Sequence, residues 1–147
     1  MNTTRLPARS VLGYSCRTSH ATAAADIGPL WAKVGASGIL EGRSRAIAVY
    51  HDYTVLPDGY DVTVTVGREV DAGEHTPEGL ERVDVPEQAC ATWTTDGSVE
   101  QVVAAWRTVW EQWPDGGPRS FGADVEVWEQ GPDGKPASAL VYVGVRS

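Results

Sequence analysis

The pattern of apolar and polar residues predicts short strands interrupted by two helices. The segment RSVLGYSCRTS (9–19) has the composition of a strand. The next apolar residues recur at the i, i+3, i+4, i+7 spacing of one helical face: Ile27, Leu30, Trp31 and Val34. Proline is tolerated only near the first turn of a helix, so Pro29 indicates that the firm part of this helix begins near Asp26.

Two more strands complete the first half of the chain. They are RAIAVYHDY (45–53) and GYDVTVTVGREV (59–70), and the segment between them ends in Pro-Asp-Gly, a typical turn sequence. Residues 71–81 are polar and contain glycine and proline, which predicts a loop between two halves.

The second half repeats this order. LERVDVPEQACATWTT (80–95) contains a strand, and residues 96–117 hold the clearest helix pattern. Ser98 and Gln101 form a capping-box pattern at its start, and Pro114 marks its end. Its predicted apolar face consists of Val99, Val102, Val103, Trp106, Trp110 and Trp113. Two strands, ADVEVWEQ and ASALVYVGVR, follow.

The two halves match in residues as well as in order. VTVTVG (62–67) aligns with ALVYVG (139–144), which matches Thr65 with Tyr142. AIAVYHDY (46–53) resembles ADVEVWEQ (123–130), and there we match Tyr50 with Trp128 and Ala48 with Glu126. The sequence therefore predicts an α+β fold made of a duplicated β-α-β-β unit. It would form one domain over residues 1–147, with repeats at about 8–70 and 82–146. We expect one antiparallel sheet, both helices on one face, and a ligand cleft between the halves.

Composition and charge restrict the function. The chain has 147 residues, a net charge of −8 and only 12 Lys and Arg, which argues against a nucleic-acid partner. It contains no apolar run of ~18 residues, so we expect a cytoplasmic protein without a membrane partner. The two cysteines, Cys16 and Cys90, lie in no metal or redox motif, and we expect them to be small buried apolar residues.

Glu126 is the candidate functional residue of a binding pocket. If Val125 and Val127 point at the helices, alternation places Asp124, Glu126 and Trp128 on the opposite face of the sheet. Tyr50 and Tyr142 are expected on that same face, so an acid would lie among aromatic rings. Such a pocket suits a flat lipophilic cation or an uncharged aromatic molecule with a hydrogen-bond donor. For a cation, each well-placed ring adds roughly 0.5–2 kcal/mol of cation–π attraction.

Other interpretations remain open from the residues alone. Glu126 is equally consistent with an ordinary surface carboxylate on a solvated face. The helical tryptophans, including Trp31 and Trp106, have the spacing of core residues. Trp93, in the strand before the second helix, suits either the core or the pocket.

The chain resembles the GyrI-like small-molecule-binding family, which also supplies effector-binding domains of AraC-type and MerR-type transcription regulators. The resemblance lies in DGSVEQVVAAWRTVWEQWPDGGPRSFGADVEVWEQ and LVYVGVR, with IGPLWAKV, IAVYHDY and DGYDVTVTVGREV in the first half. It covers roughly residues 8–146. It implies a pocket glutamate at Glu126, and Trp128 stands where the family usually has a tyrosine, so the phenol hydroxyl is missing.

Three functions follow, of which the first is favoured. The first is a stand-alone protein that binds lipophilic, often cationic, aromatic molecules for drug sensing or sequestration, as monomer or homodimer. Only about nine residues precede the first strand, so no DNA-binding segment is expected before it. The predicted ligand-binding residues are Glu126, Trp128, Tyr50, Tyr142, Trp93, Trp106 and Trp31.

The other two functions rest on the same resemblance. Some similar proteins hydrolyse electrophilic cyclopropane-containing toxins, in which case Glu126 would activate water and Tyr50 or Tyr142 would donate a proton. The last alternative is a protein-binding module, such as a gyrase modulator. No cofactor is implied by any of the three.

Overall fold

A computed structural model describes residues 3–133 and 136–146; residues 1–2, 134–135 and 147 lie outside it. Two helices accompany eight strands in this part of the chain. In chain order they are β1 (Thr3–Leu6), β2 (Arg9–Ser19), α1 (Ala23–Ser37), β3 (Arg45–Leu56), β4 (Gly59–Val70), β5 (Glu81–Val85), β6 (Gln88–Thr95), α2 (Val99–Gln112), β7 (Arg119–Gln130) and β8 (Pro136–Val145).

The strands form one antiparallel sheet in the order β1-β6-β8-β7-β3-β4-β2-β5. The expected α+β fold with a duplicated unit is confirmed, because β2-α1-β3-β4 and β6-α2-β7-β8 occupy equivalent places on either side of the β3–β7 pair. Ala48 pairs directly with Glu126 across this central ladder. Glu126 therefore lies at the centre of the sheet, where the two halves meet.

Two strands that the sequence did not predict exchange between the halves. β1 precedes β2 in the chain but pairs with β6, and β5 precedes β6 but pairs with β2. The segment 80–95, expected to contain a single strand, is divided in two at Pro86 and Glu87. Proline supplies no N–H for a ladder, so a break is favoured there.

These exchanges require the sheet to curl. Pro7 and Ala8 alone connect β1, at one edge, to β2 near the other edge, and the 86–87 link does the same for β5 and β6. Such a link spans about 10 Å, whereas the six strand spacings that separate the linked strands in a flat sheet would cover about 29 Å. The edges must therefore approach each other, which makes the sheet a half-barrel with an inner and an outer face.

Both faces of the half-barrel are buried. The inner face is an aliphatic core without helix residues, in which Leu6 and Val85 of the edge strands join the central residues Ile47, Val125 and Val127. The outer face carries two further clusters, one under each helix. The expectation that Val125 and Val127 face the helices is thus wrong. The predicted alternation of residues between the two faces is correct, but the residues of the inner face pack against one another and not against a helix.

The helices depart from their predicted forms in two respects. α1 begins at Ala23 rather than near Asp26, and Pro29 lies inside it on the exposed side. In α2 the buried residues are Val102, Ala105 and Val109. Val99 and Val103, predicted for the apolar face, are 66% and 49% exposed.

The predicted N-cap of α2 is present. The Ser98 hydroxyl accepts a hydrogen bond from Gln101 N at 3.2 Å. The Gln101 side chain does not return this bond to Ser98, as a capping box would require; its Oε1 accepts from Asp96 N at 2.8 Å.

Candidate functional site

Glu126 faces the helices. It lies near the middle of β7, opposite Ala48, which packs against Leu30 and Val34 of α1. Its side chain is almost completely buried, with 2% of the residue exposed. The side of the sheet predicted for Glu126 was therefore wrong, and so was the alternative of a solvated surface carboxylate.

Three aromatic side chains donate hydrogen bonds to the Glu126 carboxylate. Oε2 accepts from the Tyr50 hydroxyl at 2.9 Å and from Trp106 Nε1 at 2.7 Å. Oε1 accepts from Trp128 Nε1 at 2.9 Å. The indole of Trp128 thus serves as a donor even though it has no phenol hydroxyl. Tyr50 comes from the first half of the chain and the tryptophans from the second, so both halves build the site.

Ring contacts extend this enclosure to both helices. Trp31 of α1 meets Trp128 edge-on at 5.4 Å, and Trp106 of α2 lies 5.2 Å from the Tyr50 ring. All four side chains are half-buried. They form a layer of rings between Glu126 and the outer surface, and we call Tyr50, Trp31, Trp106 and Trp128 the aromatic cover.

The Glu126 carboxylate has no cationic partner among the described residues, since none of their ion pairs involves it. Burial raises its pKa above the ordinary value, the three aromatic donors oppose this by stabilising the anion, and the charge of Asp124 adds a smaller increase. The three hydrogen bonds therefore compensate for only part of the hydration that the Glu126 carboxylate loses on burial. A cation placed against the cover would supply the missing charge.

A second buried acid lies two residues before Glu126. Asp124 is fully buried, and its Oδ2 accepts from Arg119 Nη2 at 2.8 Å and from the Tyr53 hydroxyl at 2.5 Å. Its Oδ1 accepts from Gly144 N at 2.8 Å. Asp124, unlike Glu126, is thus neutralised by a guanidinium. Alternation had placed Asp124 on the face of Glu126, whereas no sequence signal indicated Arg119, which reaches it across an irregular stretch of β7.

The other predicted site residues are divided between the two faces. Tyr142 is opposite Val125 in the β7–β8 ladder and packs on the inner-face core, so its expected place beside Glu126 is wrong. Its neighbours Val141 and Val143 do face α2, as expected. Trp93 lies on the outer face, but its ring contacts Trp113 at 5.6 Å rather than the aromatic cover.

An open cavity of about 450 Å³ lies on the inner-face side of the sheet, away from Glu126. Valines and an alanine line its apolar part, and His51, Asp52, Arg82, Asp84 and Gln88 line its polar part. The donors of Arg82 already bind Asp84 and nearby oxygens. The polar wall is thus largely engaged within the protein.

Two further features concern membranes and metal ions. No helix in the described part of the chain is long and apolar enough to cross a membrane. No group of three or more His, Cys, Asp or Glu residues within 3–133 and 136–146 is arranged to hold a metal ion.

Solved structures with this fold include an integron cassette protein, VCH_CASS2, from the mobile metagenome of Vibrio cholerae. It is 22% identical, with a TM-score of 0.77 over 99% of this chain and 95% of that one. SAV2435, solved bound to tetraphenylphosphonium, is 11% identical, with a TM-score of 0.73 over 99% and 93% of the two chains. The C-terminal domain of EcmrR is 15% identical, with a TM-score of 0.53 over 99% and 96%.

No curated protein sequence matches this chain. The sequence profile of the GyrI-like small molecule binding domain, however, matches residues 2–145. This match spans both halves of the duplicated unit. The chain therefore belongs to the family of GyrI-like small-molecule-binding domains.

Proposed function

We propose that this protein binds lipophilic aromatic cations, for sensing or sequestration, with Glu126 as the charged floor of the pocket and the aromatic cover as its walls. The observation that carries the proposal is a buried carboxylate that accepts three hydrogen bonds from aromatic side chains and pairs with no described cation. SAV2435, a protein of the same fold, was solved with tetraphenylphosphonium, a lipophilic cation.

The energetics favour a cationic ligand. A buried carboxylate without an opposite charge is destabilising, and neutral donors compensate for only part of the lost hydration. A lipophilic cation would restore that charge balance at a small desolvation cost of its own. Each ring that meets the cation would add roughly 0.5–2 kcal/mol. A ligand without charge would gain only the contact with the rings.

The aromatic cover has to open for binding, because Glu126 is 2% exposed. Trp106 is half-buried, so its indole borders the solvent. Val99 and Val103 lie on the same side of α2 as Trp106 by helical spacing, and both are exposed. This apolar edge would receive the hydrophobic part of a ligand while the Trp106 ring moves aside.

Tryptophan fluorescence would test the proposal with two ions of the same shape and opposite charge, tetraphenylphosphonium and tetraphenylborate. We expect saturable quenching by the phosphonium and at least about tenfold weaker binding of the borate. Glu126→Gln should reduce that preference, whereas Glu129→Gln, which removes a half-buried acid of the same strand that is paired with Arg45, should not. Equal binding of both ions, or an effect of Glu126→Gln no larger than that of Glu129→Gln, would refute the proposal.

A second candidate function is hydrolysis of a strained electrophile, such as a cyclopropane-containing toxin. The contact that favours it is the 2.9 Å hydrogen bond between the Tyr50 hydroxyl and Glu126, which joins a carboxylate base to a phenol acid. Product formation would be assayed with wild type, Tyr50→Phe and Glu126→Gln. Turnover that is unchanged in Glu126→Gln would exclude this mechanism.

A further inference from the structure

Two carboxylates lie side by side beneath the aromatic rings, and only one of them is neutralised. Asp124 and Glu126 alternate with Val125 on β7, so they project from the same face of the sheet about 7 Å apart along the strand. Arg119 bonds to Asp124 at 2.8 Å, and Glu126 has no cation among the described residues. The pair of acids and one guanidinium therefore carries one net negative charge.

Arg119 is held like a cation in an aromatic box. Its guanidinium carbon lies within 6 Å of five ring centroids: Phe121 at 4.4 Å, Tyr53 at 5.6 Å, Trp110 at 5.8 Å, Tyr60 at 5.9 Å and Trp106 at 5.9 Å. Its residue is 3% exposed, and its Nε has no hydrogen-bond partner in the described structure. Packing and charge, rather than a complete set of hydrogen bonds, hold Arg119 in place.

Trp106 connects this box to the proposed pocket. The Trp106 indole donates a hydrogen bond from Nε1 to Glu126 at 2.7 Å, and the same ring lies next to the Arg119 guanidinium. A ligand that displaces part of the aromatic cover would therefore come close to the Arg119 charge. The Arg119 charge offsets the negative charge of Asp124, so a ligand with one positive charge meets only the uncompensated charge of Glu126. A second positive charge on the ligand would be repelled by Arg119.

We propose that Arg119 determines the charge selectivity of the pocket: by neutralising Asp124 it leaves Glu126 as the single uncompensated charge, so the pocket accepts monocations over dications. This inference rests on the proposed function of Glu126. It assigns to Arg119 a positioning and selectivity role without contact to the ligand. Loss of the guanidinium would leave two negative charges in the site and favour a dication on the order of tenfold more than before.

The test uses two flat probes of nearly equal size and different charge. N-methyl-4,4′-bipyridinium is a monocation and N,N′-dimethyl-4,4′-bipyridinium is a dication, and both quench tryptophan. The measured quantity is the ratio of dication to monocation affinity at pH 8, which cancels general effects of packing. We expect the ratio to rise about tenfold in Arg119→Met. It should stay at the wild-type value in Arg119→Lys and in the double variant Arg119→Met/Asp124→Asn, which both retain one net negative charge.

The outcomes separate this inference from the proposed function. A ratio that is unchanged in Arg119→Met, with binding that still depends on Glu126, overturns the selectivity role alone. Binding of both probes that is unaffected by Glu126→Gln overturns the proposed function and the inference together.

If Arg119→Met does not fold, Asp124→Asn provides an independent test. It removes one negative charge while the guanidinium remains, so the preference for the monocation over neutral 4,4′-bipyridine should fall about tenfold. An unchanged preference would overturn the selectivity role.

Discussion

Replacing Tyr50 by phenylalanine removes one of the three donors to Glu126 while keeping the ring that packs 5.2 Å from Trp106. A hydrogen bond to a charged group contributes about 1.5–3 kcal/mol to the free energy of unfolding. In a protein of this size 1 kcal/mol corresponds to about 2–4 °C, so the melting temperature should fall by about 3–12 °C at pH 8. Tyr142→Phe is the matched control, because Tyr142 lies on the inner face and donates no hydrogen bond to another described residue.

The effect of Tyr50→Phe should also depend on pH. Burial and the charge of Glu126 raise the pKa of Tyr50 well above its ordinary value, so the phenol stays a donor at pH 8. As pH falls through the raised pKa of Glu126, the carboxylate becomes neutral and the bond weakens to that of a neutral pair. Calorimetry of both variants across a pH series that runs from pH 8 down to full protonation of Glu126 would measure this. Equal losses in Tyr50→Phe and Tyr142→Phe, or a loss in Tyr50→Phe that does not change with pH, would refute the role of Tyr50.

Three further outcomes are expected. Binding of tetraphenylphosphonium should strengthen as pH rises through the raised pKa of Glu126 and then level off, because the cation selects the ionised acid. Calorimetric titration in two buffers should show that binding releases a proton, and Glu126→Gln should abolish this proton release. Ser98→Ala should lower the free energy of unfolding by about 1 kcal/mol in urea titrations, since it removes the N-cap of α2, whereas Thr108→Ala in the same helix should not lower it. Burial raises the pKa of Cys90 to about 11, so this thiol should resist maleimide at pH 8 in the folded protein and react once urea unfolds it.

Local patterns in the sequence were sufficient to predict both helices and most of the strands, and to recognise which residues of a strand share a face. The alternation along β7 placed Asp124, Glu126 and Trp128 together, and they are together in the structure. The Pro-Asp-Gly turn and the Ser98 cap were likewise predicted correctly, with β3 ending at Leu56 and β4 starting at Gly59. These features depend on neighbouring residues, which is why they can be recognised without tertiary structure.

The tertiary structure alone decided which way each face points. Alternation divides a strand into two faces but does not say which one meets a helix, and it is ambiguous when both faces are buried. Here two-residue links bring the edges of the sheet together, so the inner face closes into a core without helices. That curl places Glu126 beneath the helices and Tyr142 on the far side.

The compensation of Asp124 by Arg119 is equally a product of the fold. The two residues are five positions apart on one strand, and they meet because β7 is irregular between them. The sequence gives the opposite charges of the two side chains, but it does not predict that they are in contact. By itself the sequence determined a duplicated sheet with an acid among aromatic residues. Only the closure of the half-barrel decided that this acid is buried between the helices beside a neutralised partner, since long-range strand pairing leaves no local pattern.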